Sequence, residues 1–330
     1  MRESLHDGCW TWQALRWTHM NLLVTGACGY KGSVLVPKLL AAGHRVTAFD
    51  IQWFGNELPA HDRLTVIAGD VRDVHAVPLE DVDAIIHLAS VANDPCGDLD
   101  PRLTWEISAL ATMRLADQAV RKGVRQFIYA SSGSVYGVKD EPEVTEDLEP
   151  EPLTEYNKTK MVAERVLLSY ADQMSVQIVR PATVCGVSPR MRLDVSVNML
   201  TMQALTNGRI TVFGGDQVRP NIHIDDITDL YIFLLERPGI TGVFNAGFEN
   251  ISIREIAERV ARSIPAEIVV TPSNDPRSYR QNSDKLRHAG FSPRKTVDDA
   301  IREIVVAYQR GDLKDIDRWH NLKWMQRMMA

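Results

Sequence analysis

The chain has 330 residues, of which 45% are hydrophobic and 24% charged, and a formal net charge of −6. That length suits one large or two closely joined domains, and the composition supports a packed core and excludes global disorder. The acidic balance argues against nucleic acid as a partner, and no apolar run reaches the roughly 18 residues that span a bilayer.

Residues 1–19 carry Trp10, Trp12 and Trp17 but no long apolar stretch, so they are not a secretory signal. They read either as an added or misassigned start or as an arm that packs on a neighbour. The first strand is expected over Asn21-Leu22-Leu23-Val24. The glycine-rich run from Thr25 to Gly32 follows, and Ser33 to Leu40 reads as a helix with its apolar face at i, i+1, i+4 and i+5. A strand, a glycine turn and a helix start together make an anion site, because backbone N–H groups and the helix dipole face the same point. Gly26, Gly29 and Gly32 let the backbone approach a pyrophosphate, with Tyr30 and Lys31 between them.

Arg45 to Asp50 reads as a second strand that ends in an acid. Asp50 lies about 20 residues beyond the glycines, where a carboxylate binds a ribose 2′-hydroxyl and repels a 2′-phosphate. The cofactor expected is therefore NAD rather than NADP. Taken singly, the glycines fit a structural turn equally well and Asp50 a strand-end turn residue; together they favour a dinucleotide.

Further strands are expected at 64–68, 84–89, 126–130 and 176–180, with helices at 102–122 and 155–172. Near-continuous apolar strands that alternate with helices give an α/β fold: a Rossmann-type doubly wound parallel sheet. After Arg180-Pro181 the pattern loosens into helices near 195–206, 225–236, 253–263 and 297–309, which read as a smaller mixed C-terminal lobe. The expected division is an NAD-binding domain over 20–182 with contributions from about 220–247. A substrate lobe spans 183–219 and 248–312, and a tail spans 313–330. Trp319 and Trp324 in that tail look exposed, suited to covering the cleft or a partner subunit. Cys9, Cys28, Cys96 and Cys185 lack metal-ligand spacing and read as free thiols in a reducing compartment, the cytoplasm.

Tyr156 and Lys160 are four residues apart on one helix face. A nearby ammonium stabilises phenolate and lowers the tyrosine pKa, which makes Tyr156 a candidate general acid/base. Ser131, Ser132 and Ser134 follow strand five at the sheet edge where substrates sit. A hydroxyl there can share a hydrogen bond with the substrate oxygen; the alternative for each is turn capping.

In this order the blocks resemble the extended short-chain dehydrogenase/reductases of the nucleotide-sugar epimerase/dehydratase family. That family shows TGxxGxxG, an acid after strand two, a D-V/L-x-D turn, an HLAA strand, an SSxxVYG strand end and YxxxK. Here they stand as Gly26/Gly29/Gly32, Asp50, Asp70-Val71-Arg72-Asp73, His87-Leu88-Ala89-Ser90, Ser131 to Gly137, and Tyr156/Lys160. Later segments around Arg180-Pro181, Arg219 to Asp226, Phe244 to Gly247 and Asp275 to Tyr279 are similar too.

The resemblance implies roles by position. Asp70 and Val71 flank the adenine, while Leu88, Ala89, Ser90, Ala130 and Pro181 line the cofactor. Ser132, Tyr156 and Lys160 form the catalytic set, with Lys160 also holding the nicotinamide ribose. Ser134, Thr183, Asn198, Arg219 and Arg277 face the substrate, the two arginines clamping its diphosphate. His223 and Asp225 are structural, tying a strand to the next helix cap.

The chain departs from the family at Ser108, where an asparagine is usual, and at Thr183 and Val184-Cys185-Gly186. The family's 4,6-dehydratases carry Asp-Glu after the catalytic serine or threonine, its decarboxylating members a glutamate at position 134, and some epimerases a cysteine in this strand end. Gly133 and Ser134 fit none of these, and Cys96 reads as a loop residue. The expected activity is NAD-dependent epimerisation of a nucleotide sugar at C4 through a 4-keto intermediate. The alternatives are an NAD-dependent reductase or dehydrogenase of a keto sugar and a non-catalytic NAD-binding regulator. A homodimer through the helices at 102–122 and 155–172, paired as a four-helix bundle, is also implied.

Overall fold

The computed structural model describes residues 19–273 and 278–330. Cys9, the tryptophans at 10, 12 and 17, and the candidate Arg277 lie outside the described residues. The strands are β1 (Asn21–Thr25), β2 (Arg45–Asp50), β3 (Leu64–Ala68), β4 (Ala84–His87), β5 (Gln126–Ala130), β6 (Ser175–Pro181), β7 (Thr183–Cys185), β8 (Arg209–Phe213), β9 (Val218–His223), β10 (Gly242–Ala246), β11 (Glu249–Ser252) and β12 (Glu267–Thr271).

Seven strands form one parallel sheet in the order β10-β6-β5-β4-β1-β2-β3. The order reverses between β1 and β4, and a crevice opens there at the carboxyl ends of the strands. Every residue of β4 and β5 is buried, as expected for strands covered on both faces. Alternate residues of β1 serve the two layers. Leu22 and Val24 pack with helices Gly32–Ala41 and Ile224–Leu235, and Leu23 packs on the other side with helices Ala111–Arg121 and Glu155–Leu168. β10 extends the same sheet from sequence far beyond β6.

The C-terminal lobe has its own core. Leu200, Val212, Ile256 and Ile301 pack helices Ser196–Asn207, Ile253–Ser263 and Val297–Gln309 against the two-stranded parallel sheet β8–β12. β9 pairs with β7 and β11 between the lobes.

Most boundaries shift by a residue, and three elements differ in a way that bears on the site. β4 stops at His87, whose ring is pinned between the Thr25 hydroxyl at 2.6 Å and the Thr112 hydroxyl at 2.9 Å. Leu88 and Ala89 then cross over Gly26. A Cβ on Gly26 would lie 2.6 Å from the Ala89 nitrogen, and Gly26 has φ +67°, so glycine is required there. The helix expected over 102–122 runs from Pro101 to Arg121, capped by Asp100, but Glu106–Leu110 is a π-helical turn. The helix expected over 155–172 ends at Leu168, where the chain passes into turns.

The two faces are joined by a buried polar cluster. Arg180 on β6 donates to Glu164 through Nε at 3.0 Å and Nη2 at 2.6 Å. It also donates to the Tyr136 hydroxyl at 2.7 Å, and Ser131 donates to Glu164. Glu164→Gln leaves the guanidinium buried without its counter-charge. It is expected to cost about 3–5 kcal/mol in denaturant unfolding, the range for breaking a buried pair; a loss below about 1 kcal/mol would contradict this account.

Candidate active site

A cavity of about 560 Å³ opens at the carboxyl ends of β1, β4, β5 and β6. The glycine loop forms its floor and the start of helix Gly32–Ala41 points into it. Gly32 sits so close to Ala27 that a Cβ would lie 2.3 Å from that carbonyl oxygen. This packing seats the helix terminus on the loop, where its free N–H groups suit a phosphate.

Asp50 lies at the cavity edge and accepts from the Cys28 N–H at 2.9 Å and the Gln52 N–H at 2.6 Å. Its carboxylate thus holds the glycine loop in place. Burial pushes its pKa up against the pull of those two bonds. Asp70 and Val71 line the same end. Despite partial burial, Asp70 is held below the usual carboxylate range by Arg72 at 2.7 Å.

At the other end Leu88, Ala89, Ser90, Ala130, Ser132, Ser134, Pro181, Thr183 and Arg219 all reach the cavity, with Tyr30, Lys31, Tyr156 and Lys160. Ser90 Oγ shares a hydrogen bond with Ser108 Oγ at 3.0 Å, so the serine in place of the family's asparagine lies under the cavity wall.

Tyr156 occupies the first turn of helix Glu155–Leu168, which Thr154 caps by accepting from the Asn157 N–H. Its phenol lies close enough to Ser132 for that hydroxyl to oppose the rise in its pKa. Ser132 Oγ lies 2.6 Å from Ser134 Oγ, and Ser134 donates to Asn157 Oδ1 at 2.5 Å. With the Ser134 proton committed to Asn157, Ser134 Oγ accepts from the Ser132 hydroxyl. Lys160 Nζ donates to the Ala130 carbonyl at 2.8 Å and lies 5.8 Å from the Tyr156 ring centroid.

The electrostatics correct one expectation. The phenol is not lowered by its lysine neighbour. Burial pushes Tyr156 up to about 12, Asp94 pushes the same way, and Ser132 and Arg192 only partly oppose them. Burial likewise depresses Lys160, with Lys31 adding to the effect and Glu164 opposing it. Both partners are therefore held toward their neutral forms in this cavity.

Asn198 is a second correction. It is fully buried and does not line the cavity. Its amide is spent internally: Oδ1 accepts from the Gly186 N–H at 3.0 Å, and Nδ2 donates to the Tyr30 hydroxyl at 3.0 Å and the Arg192 carbonyl at 2.8 Å. It braces the loop after β7 against the glycine loop. The tail tryptophans are also not exposed: Trp319 is buried, and Trp324 donates from Nε1 to the Trp53 carbonyl at 2.7 Å.

Several cavity residues escaped the sequence reading: Asn93, Asp94, Arg190, Arg192 and Asp194. Arg192 donates to Asp194 at 3.0 Å, and Asp194 also accepts from Asn93 Nδ2 at 3.0 Å. Asn93 has φ +78°, a strained value for a non-glycine residue. The available signal was the run Arg190-Met191-Arg192-Leu193-Asp194, three charges in a loop that follows the sheet's carboxyl edge.

The donors present fit a dinucleotide. Backbone N–H groups at a helix start, a ribose-height carboxylate and the cations Lys31, Lys160, Arg190 and Arg192 surround one elongated cavity. A parallel sheet with this loop and a Ser/Tyr/Lys set at its carboxyl edge defines a dinucleotide-dependent enzyme acting on a hydroxyl or carbonyl carbon.

Comparison with known proteins agrees. The profile of the NAD dependent epimerase/dehydratase family matches residues 22–247, and the chain belongs to that family. It is 29% identical over 304 residues to a UDP-glucose 4-epimerase of Corynebacterium glutamicum, covering 84% of this chain and 92% of that protein. Among solved structures it is similar to the UDP-glucuronic acid 4-epimerase of Bacillus cereus in complex with UDP-glucuronic acid and NAD. The identity there is 27%, the TM-score 0.78, and the coverage 88% of this chain and all of the other. It is also similar to TunA, an NAD-dependent NDP-hexosamine 5,6-dehydratase, at 25% identity and TM-score 0.81 over 90% of this chain and 99% of that one. The protein is thus an NAD-dependent sugar-nucleotide epimerase or a related oxidoreductase of the extended short-chain class.

Asp94 raises the phenol, so Asp94→Asn removes a charge while keeping an acceptor for the Thr154 hydroxyl, which donates to it at 2.7 Å. The limb of the pH–rate profile that reports Tyr156 deprotonation should move to lower pH. An unmoved limb, or one displaced upward, would remove Asp94 from the electrostatics of the phenol.

Proposed function

We propose that the protein epimerises a nucleotide sugar at C4 by transient oxidation and re-reduction, with Ser132, Tyr156 and Lys160 as its catalytic residues. NAD seated in this cavity would supply a reversible hydride acceptor for the sugar carbon. Tyr156 takes the proton of the C4 hydroxyl as that carbon is oxidised, and gives it back after the 4-keto sugar has turned in the pocket. Ser132 donates to the sugar oxygen or to the phenolate by turning its hydroxyl away from Ser134, whose own proton stays with Asn157. Lys160, fixed to the Ala130 carbonyl, binds the nicotinamide ribose and supplies positive charge beside the phenol. Gly26, Gly29, Gly32 and Asp50 seat the dinucleotide, and Thr183 and Arg219 face the nucleotide sugar.

The observation that carries this reading is the chemistry beside Ser132. Gly133 carries no acid, and the site around it is tight: a Cβ there would lie 3.1 Å from Gln281 Nε2 and 3.2 Å from the Pro181 carbonyl. Ser134 is committed to Asn157. Cys96 is buried away from the cavity, and burial holds its thiol up at about 12. No group at these three positions can expel water from C5–C6 or invert a carbon by proton abstraction beside a ketone, which supports hydride transfer with a phenol base. The epimerase relatives act on UDP sugars by name, so those are the first substrates to supply.

The paired helices also support a homodimer. Leu110, Met113 and Leu168 on the helices spanning 101–121 and 155–168 are all exposed, an apolar strip of the kind that a second copy covers. Light scattering on the eluting protein should give twice the chain mass; a monomer across the micromolar range would discard this pairing.

The purified protein should carry NAD and interconvert UDP-glucose and UDP-galactose, or their uronic acid counterparts, without added reduced cofactor. NMR of the sugar product reads this directly. Tyr156→Phe should keep its NAD and lose about 10²–10⁴-fold in kcat. Conversion that needs added reduced cofactor would make the enzyme a reductase instead. Loss of water from the sugar would make it a dehydratase.

A further inference from the structure

The C-terminal segment closes the cofactor cavity at its Asp50 end. The Leu193 N–H donates to the Trp319 carbonyl at 2.8 Å. The Asn321 N–H donates to Asp194 at 3.3 Å, and Arg318 donates to Glu57 at 2.6 Å. Trp324 reaches the Trp53 carbonyl, and Met325 is buried in the same apolar cluster as Val91 and Cys96. Helix Asn321–Met329 therefore ties the loop after β2, the loop after β4 and the loop after β7 to one another. None of these bonds belongs to the glycine fingerprint.

Arg190 lies where these ties meet. It is 2% exposed, yet among the described residues it forms no ion pair. Its guanidinium stacks 3.9 Å from the Phe54 ring centroid and donates through Nη2 to Asn321 Oδ1 at 2.7 Å. Its Nε is buried without a partner. Its backbone N–H donates to Ser33 Oγ, at the start of the helix that faces the phosphate position, while Asp50 is near enough to act on its charge. A buried guanidinium without a carboxylate is costly unless an anion or several acceptors arrive with the ligand. The residues around it line the cavity, so the acceptors available there are the oxygens of a bound dinucleotide.

We propose that Arg190, stacked on Phe54 and held by Asn321, is a further cofactor-binding residue for the adenosine–diphosphate half of NAD, and that helix Asn321–Met329 is the latch that keeps it there. Arg190 supplies N–H donors between the ribose and the diphosphate. Asn321 is a positioning residue that fixes the guanidinium plane. The inference rests on the NAD reading of the site and is independent of which sugar is epimerised.

The test compares two ligands on the full chain by calorimetry: ADP-ribose, which fills the proposed subsite, and UDP, which belongs to the substrate side. Arg190→Met should weaken ADP-ribose by about tenfold or more and leave UDP within about twofold, the loss expected for one charge-assisted hydrogen bond. Asn321→Asp keeps an acceptor on the guanidinium and should hold ADP-ribose near the parent value, whereas Asn321→Leu should follow Arg190→Met. Trp324→Phe deletes one indole hydrogen bond and keeps the ring. It should speed release of bound NAD, read as loss of the dinucleotide on gel filtration, and it serves as the deciding variant if Arg190→Met does not fold. Unchanged ADP-ribose affinity in folded Arg190→Met would overturn the proposal. So would a parallel loss of UDP, or NAD retained in Trp324→Phe as in the parent. Failure to epimerise any sugar would leave these binding results untouched and would count against the proposed function alone.

Discussion

The ends of β1 and β4 approach each other so closely over Gly26 that only a hydrogen atom fits between the loop and Ala89. The active site depends on that closure. It turns the chain into helix Gly32–Ala41 with its free N–H groups aimed along the crevice, and it fixes where Leu88, Ala89 and Ser90 can lie. Asp50 completes the loop from the neighbouring strand by taking two backbone N–H groups. Its carboxylate is therefore part of the scaffold before it meets any ribose. The phosphate-facing floor and the ribose-facing edge are one hydrogen-bonded unit.

The cavity is rich in buried positive charge. Lys31, Lys160, Arg190 and Arg192 all reach it, and burial depresses both lysines and Arg190. Among the described residues only Arg192 has a close carboxylate of its own, Asp194. Such an arrangement is unfavourable for the folded chain alone and favourable once diphosphates occupy it. The same logic governs the phenol. A tyrosine held neutral at about 12 can serve as the proposed base only when positive charge is brought to its side of the cavity. Binding and activation of the site are thus coupled through electrostatics.

Much of this was legible in the sequence because local rules and tertiary demands agreed. The glycine spacing, the strand runs at 45–50, 64–68 and 126–130, and the Tyr156/Lys160 spacing each encode a local geometry that the fold keeps. Legibility failed where long-range packing decides. Asn198 looked like a substrate ligand because of its position in the family order, but its amide is consumed in holding Tyr30 and Gly186. Trp319 and Trp324 looked exposed because a short polar-flanked segment has no periodicity that shows what it packs on. Arg190 and Asp194 gave no pattern beyond charge in a loop, since their distant partners are Ser33, Phe54, Asn93 and Asn321. The direction of the Tyr156 shift was missed because pair spacing reports proximity and says nothing of burial.

The π-helical turn at Glu106–Leu110 adds one residue to the helix that flanks the sheet. Each residue advances a helix by about 100°, so every side chain after it is set by that extra step. Leu115, Ala116 and Ala119 face the sheet in this register, and Thr112 meets His87. Deleting one residue between 106 and 110 would restore an ordinary helix and rotate all of them off their partners. The length of this stretch should stay invariant even where its exposed side chains change, a constraint on drift that acts on residue count as well as on residue identity.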